Sequence, residues 1–491
     1  MPSRSLDFAR PAVFAGGMTE RIECDIAVVG AGTAGITVAA GGALLGAKTV
    51  LIERDRMGGA RLYGELPLQA LAAAARHATD WQHAAKLGIR FDEPDIDILA
   101  VLRHANATIA AAAPNDSAER LGALGVTVLQ GEARFAAPDT LNVGSTQVTA
   151  RRFVIASGAK PAMPAIPGLT DIACLTPQSI FDLTERPLHL LVIGGGGTGI
   201  ACAQAFQRLG VRVTLVERQQ CLARHDPELR DLVVDALRRD GVTLHEQTTI
   251  TLAENSATGI VLTLHHADGG TDRIAGSHLL LATGWQADLD ALDLRQAGIT
   301  TGPRGIAVDG TLRTSNHHVH AIGAAVDPQA TTAIAVHHAT VALKNILLRL
   351  PLRADRRAAA DLVACDPELA CVGLSEAAAR ARHGRIHIQR RPFILNERAL
   401  AEGRSEGLLK VMTTSTGRIL GAAAVGPQAA EILHPWALAI GKGLGIGAVQ
   451  AMIAPFPARG SSALQAAADF YRPKLFSPLT RRIVQFLARF G

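Results

Sequence analysis

Two glycine-rich turns in the sequence have the residue types and spacing that could hold the diphosphate of a nucleotide. Each turn follows an apolar run that predicts a buried strand and precedes a segment that predicts a helix. The first glycine permits a tight turn, the second lets the main chain approach the diphosphate, and the third lets the helix pack on the strand. The amides at the helix N-terminus then face the phosphates. The glycines are Gly30, Gly32 and Gly35 in the first turn and Gly194, Gly196 and Gly199 in the second.

An acidic residue ends the second predicted strand of each unit. A carboxylate at this point, Glu53 or Glu217, can accept hydrogen bonds from the ribose hydroxyls of a dinucleotide. The acids and all three glycines recur after 164 residues, so the whole unit is repeated and two dinucleotide sites are predicted. Because a carboxylate repels a 2′-phosphate, Glu217 favours NADH over NADPH, although the neighbouring Arg218 weakens this preference.

The composition places these turns in a large folded chain. Apolar residues make up 48% of the 491 residues and charged residues 19%, and the mean hydropathy is +0.20, so intrinsic disorder is excluded. At about 150 residues per domain, the length predicts roughly three domains. The net charge of +5 is not concentrated in a long Lys/Arg block, so nucleic-acid binding is not expected.

The cysteines predict neither a disulfide framework nor a metal site. Six cysteines are too few for the former, and their spacing contains no Cys-x-x-Cys or His/Cys cluster typical of zinc. Cys365 and Cys371 fall on a predicted strand, where burial is expected rather than redox chemistry. Residues 1–20 are charged and lack the apolar core of a secretory signal. Reduced thiols and a cytoplasmic location are therefore expected.

Two segments have features of membrane contact. Residues 26–47 carry no charge over 22 positions, but the six glycines there would weaken a lipid-facing helix. Residues 478–491 predict a basic amphipathic helix with Leu479, Ile483 and Phe486 on its apolar side. The simpler interpretation is that this helix docks on the parent dimer, and the alternative is peripheral contact with an anionic membrane.

Further patterns outline the organisation of the chain. Segments 153–158 and 279–284 each predict a strand followed by Ser-Gly or Thr-Gly, as expected where the chain returns between domains. A strand ending at Ile322-Gly323 and a helix over 331–348 would complete the first domain. From residue 353 onward, alternating strands followed by helices predict a separate α+β domain.

In this order the motifs resemble those of the class I pyridine nucleotide-disulfide oxidoreductases, a flavoprotein family that includes dihydrolipoamide dehydrogenase, glutathione reductase and mercuric reductase. The resemblance covers about residues 23–468 and also rests on Asp366-Pro367-Glu368, Val372-Gly373-Leu374-Ser375-Glu376 and Gly417-Arg418-Ile419-Leu420-Gly421. It implies an α/β fold with two Rossmann-like dinucleotide-binding domains (glutathione reductase-like) and a C-terminal α+β dimerisation domain. The expected assembly is a homodimer.

The resemblance also implies domain boundaries and cofactor contacts. An FAD-binding domain is expected over residues 23–170 and 291–350, an inserted NAD-binding domain over 171–290 and an interface domain over 353–475. Residues 1–22 are expected to form a flexible tail, and residues 476–491 the basic amphipathic tail. The residues predicted to contact FAD or the nicotinamide nucleotide are Gly30, Gly32, Thr33, Ala34, Gly35, Glu53, Arg54, Gly58, Gly59, Ser157, Gly158, Gly194, Gly196, Gly197, Thr198, Gly199, Glu217, Thr283, Gly284, Gly323 and Ala324.

The chain lacks the redox disulfide through which the family passes electrons from flavin to substrate. Residues 58–69 match the family's Gly-Gly-Thr-Cys-x-x-x-Gly-Cys-x-Pro-Ser-Lys with one residue fewer, and Arg61 and Glu65 stand at the cysteine positions. Without a thiol there, no mixed disulfide can form. Reduction of disulfides by the usual relay is therefore not expected.

Other functional residues of the family are replaced as well. The lysine and glutamate that pair beside the flavin correspond to Gln69 and Ala201, and the His-Pro-x-x-x-Glu dyad corresponds to residues 456–461, which contain neither histidine nor glutamate. The aspartate that holds the ribityl chain of FAD corresponds to Ala324, with Asp327 three residues further as a conceivable substitute.

Two functions are compatible with these features. One is an FAD-dependent NAD(P)H oxidoreductase that takes a hydride from NADH and reduces a non-disulfide acceptor, such as a quinone, a metal ion, dioxygen or a partner protein. The other is a catalytically degenerate paralogue that acts as a binding or regulatory partner. The catalytic candidates are Glu65, as a proton donor, and His337. The simpler interpretations are an ion pair between Glu65 and Arg61 and a packed structural role for His337.

Overall fold

The N-terminal part of the chain forms a seven-stranded sheet that includes one strand from much later in the sequence. The computed structural model describes residues 20–90, 92–257 and 259–490. The elements of this part are β1 (Glu20–Val29), α1 (Thr33–Leu44), β2 (Thr49–Glu53), α2 (Leu66–Lys86), α3 (Ile98–Ala112), α4 (Ala118–Ala123), β3 (Val126–Gln130), β4 (Ala133–Ala137), β5 (Thr140–Val143) and β6 (Thr146–Ile155). Strands β3, β2, β1 and β6 are parallel neighbours in that order, and the antiparallel strands β5 and β4 extend the sheet.

Strand β1 lies at the centre of this sheet and is buried where it is apolar. Ile26, Ala27 and Val28 have no exposed surface, as expected for a parallel strand that is covered on both faces. The strand begins at Glu20 and pairs with β6 from that residue onward. Residues 20–22 therefore belong to the sheet, which corrects the prediction of a flexible tail over 1–22. Residues 1–19 lie outside the described residues.

The next part of the chain adds a second parallel sheet and an antiparallel one. Its elements are β7 (Ala159–Pro161), β8 (His189–Ile193), α5 (Gly197–Arg208), β9 (Arg212–Val216), α6 (Pro227–Arg239), β10 (Thr243–His245), β11 (Thr248–Ser256), β12 (Gly259–His266), β13 (Thr271–Gly276), β14 (His278–Leu281) and β15 (Trp285–Ala287). The parallel order is β10-β9-β8-β14, and β11, β12 and β13 form a meander. Strand β7, before this part of the chain, and strand β15, after it, pair as a short antiparallel ribbon. Afterwards β16 (Val319–Ala321) joins β6, and α7 (Thr332–Leu347) packs on α1.

The last part is a five-stranded antiparallel sheet with helices. Its elements are β17 (Ala360–Val363), β18 (Leu369–Gly373), α8 (Glu376–His383), β19 (His387–Pro392), α9 (Glu397–Ala401), β20 (Leu408–Thr413), β21 (Ile419–Val425), α10 (Ala429–Lys442), α11 (Ile446–Gln450), α12 (Ser461–Leu475) and α13 (Pro478–Leu487). The strand order is β17-β18-β21-β20-β19. Every residue of β20 and β21 is buried, because α10 packs on one side of the sheet and α6 on the other. The predicted fold class is confirmed, whereas the domain boundaries stay predictions.

Helix α13 leaves its apolar side uncovered. No residue of this helix is buried, and Phe486 is 56% exposed. Among the described residues, no helix combines the length and the apolar character needed to cross a bilayer.

A buried lysine links the last sheet to the inserted unit formed by β8–β14. The side chain of Lys410 is 3% exposed, and its Nζ lies 2.7 Å from Asp226, 3.0 Å from Glu228 and 2.7 Å from Glu376. Burial favours the neutral form of each group, but the hydrogen bonds outweigh it, so the pKa of Lys410 is raised and the pKa values of Glu228 and Glu376 are lowered. One cation thus holds three carboxylates from two parts of the chain.

We predict that Lys410→Met destabilises the protein by about 3–5 kcal/mol, because three carboxylates are left without their cation. Urea denaturation measures the effect, and Lys442→Met, at an exposed position on α10, is the control. Because the pKa values of Glu228 and Glu376 are lowered in the folded protein, their stabilising effect is fully present above the unfolded-state pKa of about 4.3. The effect is lost as the pH falls through the folded-state pKa values. The difference between wild type and Lys410→Met should therefore shrink below about pH 4. Equal effects of the two substitutions would contradict the prediction.

Candidate functional site

The first glycine-rich turn lies between β1 and α1, and neighbouring main chain requires two of its glycines. Gly30 has a φ of +100°, and a Cβ there would overlap the carbonyl oxygen of Ala156. A Cβ at Gly35 would overlap the carbonyl oxygen of Gly30. The two glycines therefore let β1, α1 and the end of β6 meet at one point.

The second turn, between β8 and α5, makes the same contacts. Gly194 has a φ of +111°, and a Cβ there would overlap the carbonyl oxygen of Ala282. A Cβ at Gly199 would overlap the carbonyl oxygen of Gly194. The repeat in the sequence is thus also a repeat of contacts in space.

The middle glycine of each turn faces open space. A Cβ at Gly32 or Gly196 would meet no atom within 4 Å, and the backbone angles there, φ −72° and ψ 176° or φ −74° and ψ 175°, suit any residue. Nothing in the protein itself therefore requires glycine, but a bound oxyanion at the helix N-terminus would. The predicted contact residues that follow, in the first turns of α1 and α5, are Thr33, Ala34, Gly197 and Thr198.

The two acids support the glycine turns from the ends of β2 and β9. Glu53 Oε2 accepts a hydrogen bond from the Ala31 N–H at 2.6 Å, and Glu217 Oε2 accepts one from the Gly195 N–H at 2.7 Å. The other oxygen of each carboxylate, Oε1, accepts a hydrogen bond from the N–H of the residue two positions further along the chain, Asp55 or Gln219. Since each carboxylate oxygen has a second lone pair, both acids can still accept a hydrogen bond from a ribose hydroxyl.

Arg54 has a partner within the protein. Its guanidinium pairs with Asp288, whose own N–H donates to the carbonyl oxygen of Gly158 at 3.2 Å. The pair ties the loop after β2 to the segment after β15. The Arg54 side chain is half exposed and remains near the edge of the first nucleotide unit.

Beside the first turn lies a buried hydroxyl that lacks a partner. Ser157 Oγ has no hydrogen-bond partner among the described residues, and the adjacent Gly158 faces open space. Because buried polar groups are nearly always hydrogen-bonded, this hydroxyl fits a ligand that brings a polar atom. At the corresponding place of the second unit, Thr283 donates to the carbonyl oxygen of Ala162 at 2.6 Å, and Gly284 is open.

The segment that replaces the redox disulfide packs against the first turn. The Gly58 N–H donates to the carbonyl oxygen of Ala31 at 2.8 Å, and a Cβ at Gly59 would lie 2.9 Å from the Cα of Gly32. A single π-helical turn, Arg61–Glu65, leads into α2. Such wide turns occur frequently at functional sites.

Arg61 lies at the N-terminus of α1. Its Nε donates to Thr33 Oγ1 at 3.1 Å, and its guanidinium also pairs with Asp116. A cation beside the positive end of a helix dipole is unfavourable unless an anion is near, so Asp116 offsets it and a bound phosphate would do so further. Sequence reasoning missed Asp116, because it lies 55 positions away in a short turn with no recognisable motif.

Glu65 has a different partner, so the expected ion pair with Arg61 is wrong. Glu65 Oε1 accepts a hydrogen bond from Thr332 Oγ1, the first residue of α7, at 2.7 Å. The physical reason is competition from other partners: the Arg61 guanidinium binds Thr33 and Asp116, and the Thr332 hydroxyl lies within hydrogen-bonding distance of Glu65. The carboxylate therefore sits at the N-terminus of α7, where the helix dipole favours it.

Asp327 is committed elsewhere and does not serve as the substitute that its spacing from Ala324 suggested. The carboxylate is 4% exposed and accepts hydrogen bonds from Arg356 at 2.9 Å and Arg304 at 3.4 Å. Burial opposes its ionisation, but the hydrogen bond from Arg356 outweighs it and lowers the pKa of Asp327. Ala324 itself lies in the helical turn Gly323–Ala325 that follows β16.

The histidines of α7 accept hydrogen bonds from the main chain. His337 Nε2 accepts from the Asp355 N–H at 3.1 Å, and His338 Nδ1 accepts from the Gly323 N–H at 3.2 Å. Burial lowers the pKa of His338 to about 4, so this ring is neutral at ordinary pH. These bonds support the packed structural interpretation of both residues.

The thiols of the chain are poorly suited to electron transfer. All six cysteines lie within the described residues and are free. Burial raises the pKa of Cys24 to about 11, raises that of Cys174, and raises those of the other four to about 12, so almost no thiolate exists at neutral pH.

The positions of the lysine–glutamate pair that the family has beside the flavin hold the exposed Gln69 and the buried Ala201.

Known proteins with similar sequences cover most of the chain. The sequence profile of the pyridine nucleotide-disulphide oxidoreductases matches residues 24–342, and that of their dimerisation domain matches residues 359–467. Mercuric reductase of Streptomyces lividans is 31% identical over 431 residues, 86% of this chain and 90% of that protein. Dihydrolipoyl dehydrogenase of Geobacillus stearothermophilus is 30% identical over 455 residues, 91% and 96% of the two chains.

Solved structures share the fold. LpdA from Mycobacterium tuberculosis superposes with a TM-score of 0.82 at 24% identity, over 92% of this chain and 99% of that chain. The flavoprotein disulfide reductase RclA from Escherichia coli superposes with a TM-score of 0.80 at 24% identity, over 90% and 99%. With two nucleotide turns of equivalent geometry and a C-terminal dimerisation domain, the chain belongs to the pyridine nucleotide-disulphide oxidoreductase family, whose members are flavoenzymes that use a nicotinamide nucleotide.

Proposed function

We propose that this protein is an FAD-dependent oxidoreductase that takes a hydride from NADH and reduces an acceptor other than a disulfide. One contrast carries the proposal. Both glycine turns are open at the glycine that a diphosphate would approach, Gly32 and Gly196, whereas the cysteine positions hold Arg61 and Glu65. The elements for binding two nucleotides are retained, and the thiol relay is lost.

The residues that would hold FAD are grouped around the first turn. The α1 N-terminus and Arg61 would hold the diphosphate, Glu53 would accept a hydrogen bond from a ribose hydroxyl, and Ser157 would offer its unpaired hydroxyl. Ala324 cannot make the one or two hydrogen bonds to the ribityl chain that the family's aspartate makes, a loss of about 1–3 kcal/mol. A charge-assisted hydrogen bond from Arg61 to the diphosphate would contribute a similar amount and offset this loss. FAD held by these residues would supply the redox chemistry of hydride uptake and electron release.

The second turn would hold the nicotinamide nucleotide. A carboxylate at the end of β9, Glu217, would repel a 2′-phosphate, which supports NADH as the donor. The acceptor class is a quinone, a metal ion, dioxygen or a partner protein, because no thiol stands at either cysteine position. The dimerisation domain supports a homodimer, in which the exposed side of α13 either packs on the parent dimer or contacts an anionic membrane.

The purified protein should be yellow, and anaerobic NADH should bleach its flavin absorption. Addition of a quinone, a metal ion or dioxygen should then restore the colour, and lipoamide or oxidised glutathione should not. Iodoacetamide should leave the rate unchanged, because the reaction uses no thiol. A colourless protein that takes up no added FAD would contradict the proposal and leave the degenerate binding partner as the function.

Gly32→Ala tests whether the open glycine is kept for a ligand. The new methyl group enters empty space, so the unfolding free energy of the apoprotein should change by no more than about 1 kcal/mol. The same group would displace the diphosphate, so FAD affinity, measured by flavin fluorescence, should fall about tenfold or more, which is about 1.4 kcal/mol. Gly122→Ala, in α4 with open space around it, is the matched control. Unchanged FAD binding by Gly32→Ala would remove this argument.

Glu217→Gln tests the choice of nicotinamide nucleotide. Removal of the carboxylate charge should lower the preference for NADH over NADPH, measured as a ratio of kcat/KM, by about tenfold. Glu254→Gln removes an equal charge from β11 of the same unit, where the carboxylate pairs with Arg273, and should leave the ratio unchanged. A wild-type protein that already prefers NADPH would overturn the assignment of Glu217.

A further inference from the structure

Three side chains with metal-binding atoms meet where the inserted unit contacts the five-stranded sheet. Asp361 on β17 and Cys371 on β18 are directly opposite each other in the antiparallel pairing, so their side chains share one face of the sheet. The third residue, His225, comes from the loop between β9 and α6. One ring nitrogen of His225, one oxygen of Asp361 and Cys371 Sγ lie within 4.8 Å of one another.

The position of His225 is fixed by its neighbours in the chain. Its N–H donates to the carbonyl oxygen of Leu222 at 2.9 Å, and the next residue, Asp226, caps α6 and binds the buried Lys410. His225 Nε2 lies 3.7 Å from Asp361 Oδ2, and Nδ1 is buried with no hydrogen-bond partner among the described residues. The main chain therefore holds the ring at the cluster, with Nε2 towards Asp361.

We propose that His225, Asp361 and Cys371 form a binding site for a thiophilic divalent cation such as Zn²⁺, which would clamp the inserted unit to the dimerisation sheet. Zinc takes nitrogen, oxygen and sulfur ligands at about 2.0–2.3 Å in tetrahedral geometry, which separates ligand atoms by about 3.3–3.6 Å. Side-chain shifts of about 1 Å would close the cluster to that spacing. The three protein ligands leave the fourth position to water, since Asp361 is half exposed.

The charges at the cluster suit a divalent cation. The cluster offers a carboxylate at Asp361, a thiol at Cys371 and an imidazole at His225, which are the oxygen, sulfur and nitrogen ligands that Zn²⁺ takes. Binding of Zn²⁺ would form a sulfur–zinc bond and release the thiol proton to solvent, with no change of oxidation state. The thiolate and the carboxylate together balance the charge of the ion. The nearby Arg224 is exposed, so solvent screens its repulsion.

Calorimetric titration of the purified full chain with Zn²⁺, after removal of metal by a chelator, tests the site. We expect one ion per chain, release of about one proton per ion and a higher thermal midpoint. Co²⁺ in place of Zn²⁺ should give the absorption band of a thiolate–cobalt bond. Cys371→Ser and His225→Gln should each weaken binding at least tenfold.

The control is Cys174→Ser, which removes another partly buried thiol outside the cluster and should bind Zn²⁺ as the wild type does. Three outcomes would overturn the proposal: no stoichiometric binding, binding that survives substitution of Cys371 and of His225, or equal loss of binding in Cys174→Ser. None of these outcomes depends on flavin or nicotinamide binding, since the readouts are metal content, proton release and the cobalt spectrum.

Discussion

The structure depends on main chain passing against main chain at two points. At Gly30 and Gly35, and again at Gly194 and Gly199, a single added carbon atom would overlap a carbonyl oxygen, so two strands and a helix can converge only because side chains are absent. This convergence aims the N-termini of α1 and α5 into open space. All other features of the candidate site, including both acids and the unpaired hydroxyl of Ser157, are arranged around these two junctions.

The residues that replace the family's redox groups have acquired partners of their own. Arg61 is held by Thr33 and Asp116, and Glu65 by Thr332. None of these bonds needs a thiol, and together they place one positive and one negative side chain at the N-termini of two different helices. The former disulfide segment is therefore an ordered part of the protein, which fits a changed function better than simple decay.

Patterns that are local in sequence could be predicted, and contacts between distant segments could not. The glycine turns and the strand ends at Glu53 and Glu217 follow from a few consecutive residues, their repetition predicted two nucleotide sites, and the family resemblance implied the fold class. The partner of Arg61 did not, because Asp116 lies 55 positions away in a turn with no recognisable motif. The cluster of His225, Asp361 and Cys371 was equally invisible, since only the pairing of β17 with β18 and the packing of α6 bring its members together.

The burial of Lys410 has a mechanical consequence. Any rotation of the inserted unit away from the five-stranded sheet would pull Asp226 and Glu228 from a desolvated ammonium group, at a penalty of several kcal/mol. The two bodies should therefore move together, and the short ribbon of β7 and β15 cannot act as a free hinge. Entry and exit of a nicotinamide nucleotide at the turn between β8 and α5 would then proceed through rearrangement of side chains, without movement of the inserted unit relative to the five-stranded sheet.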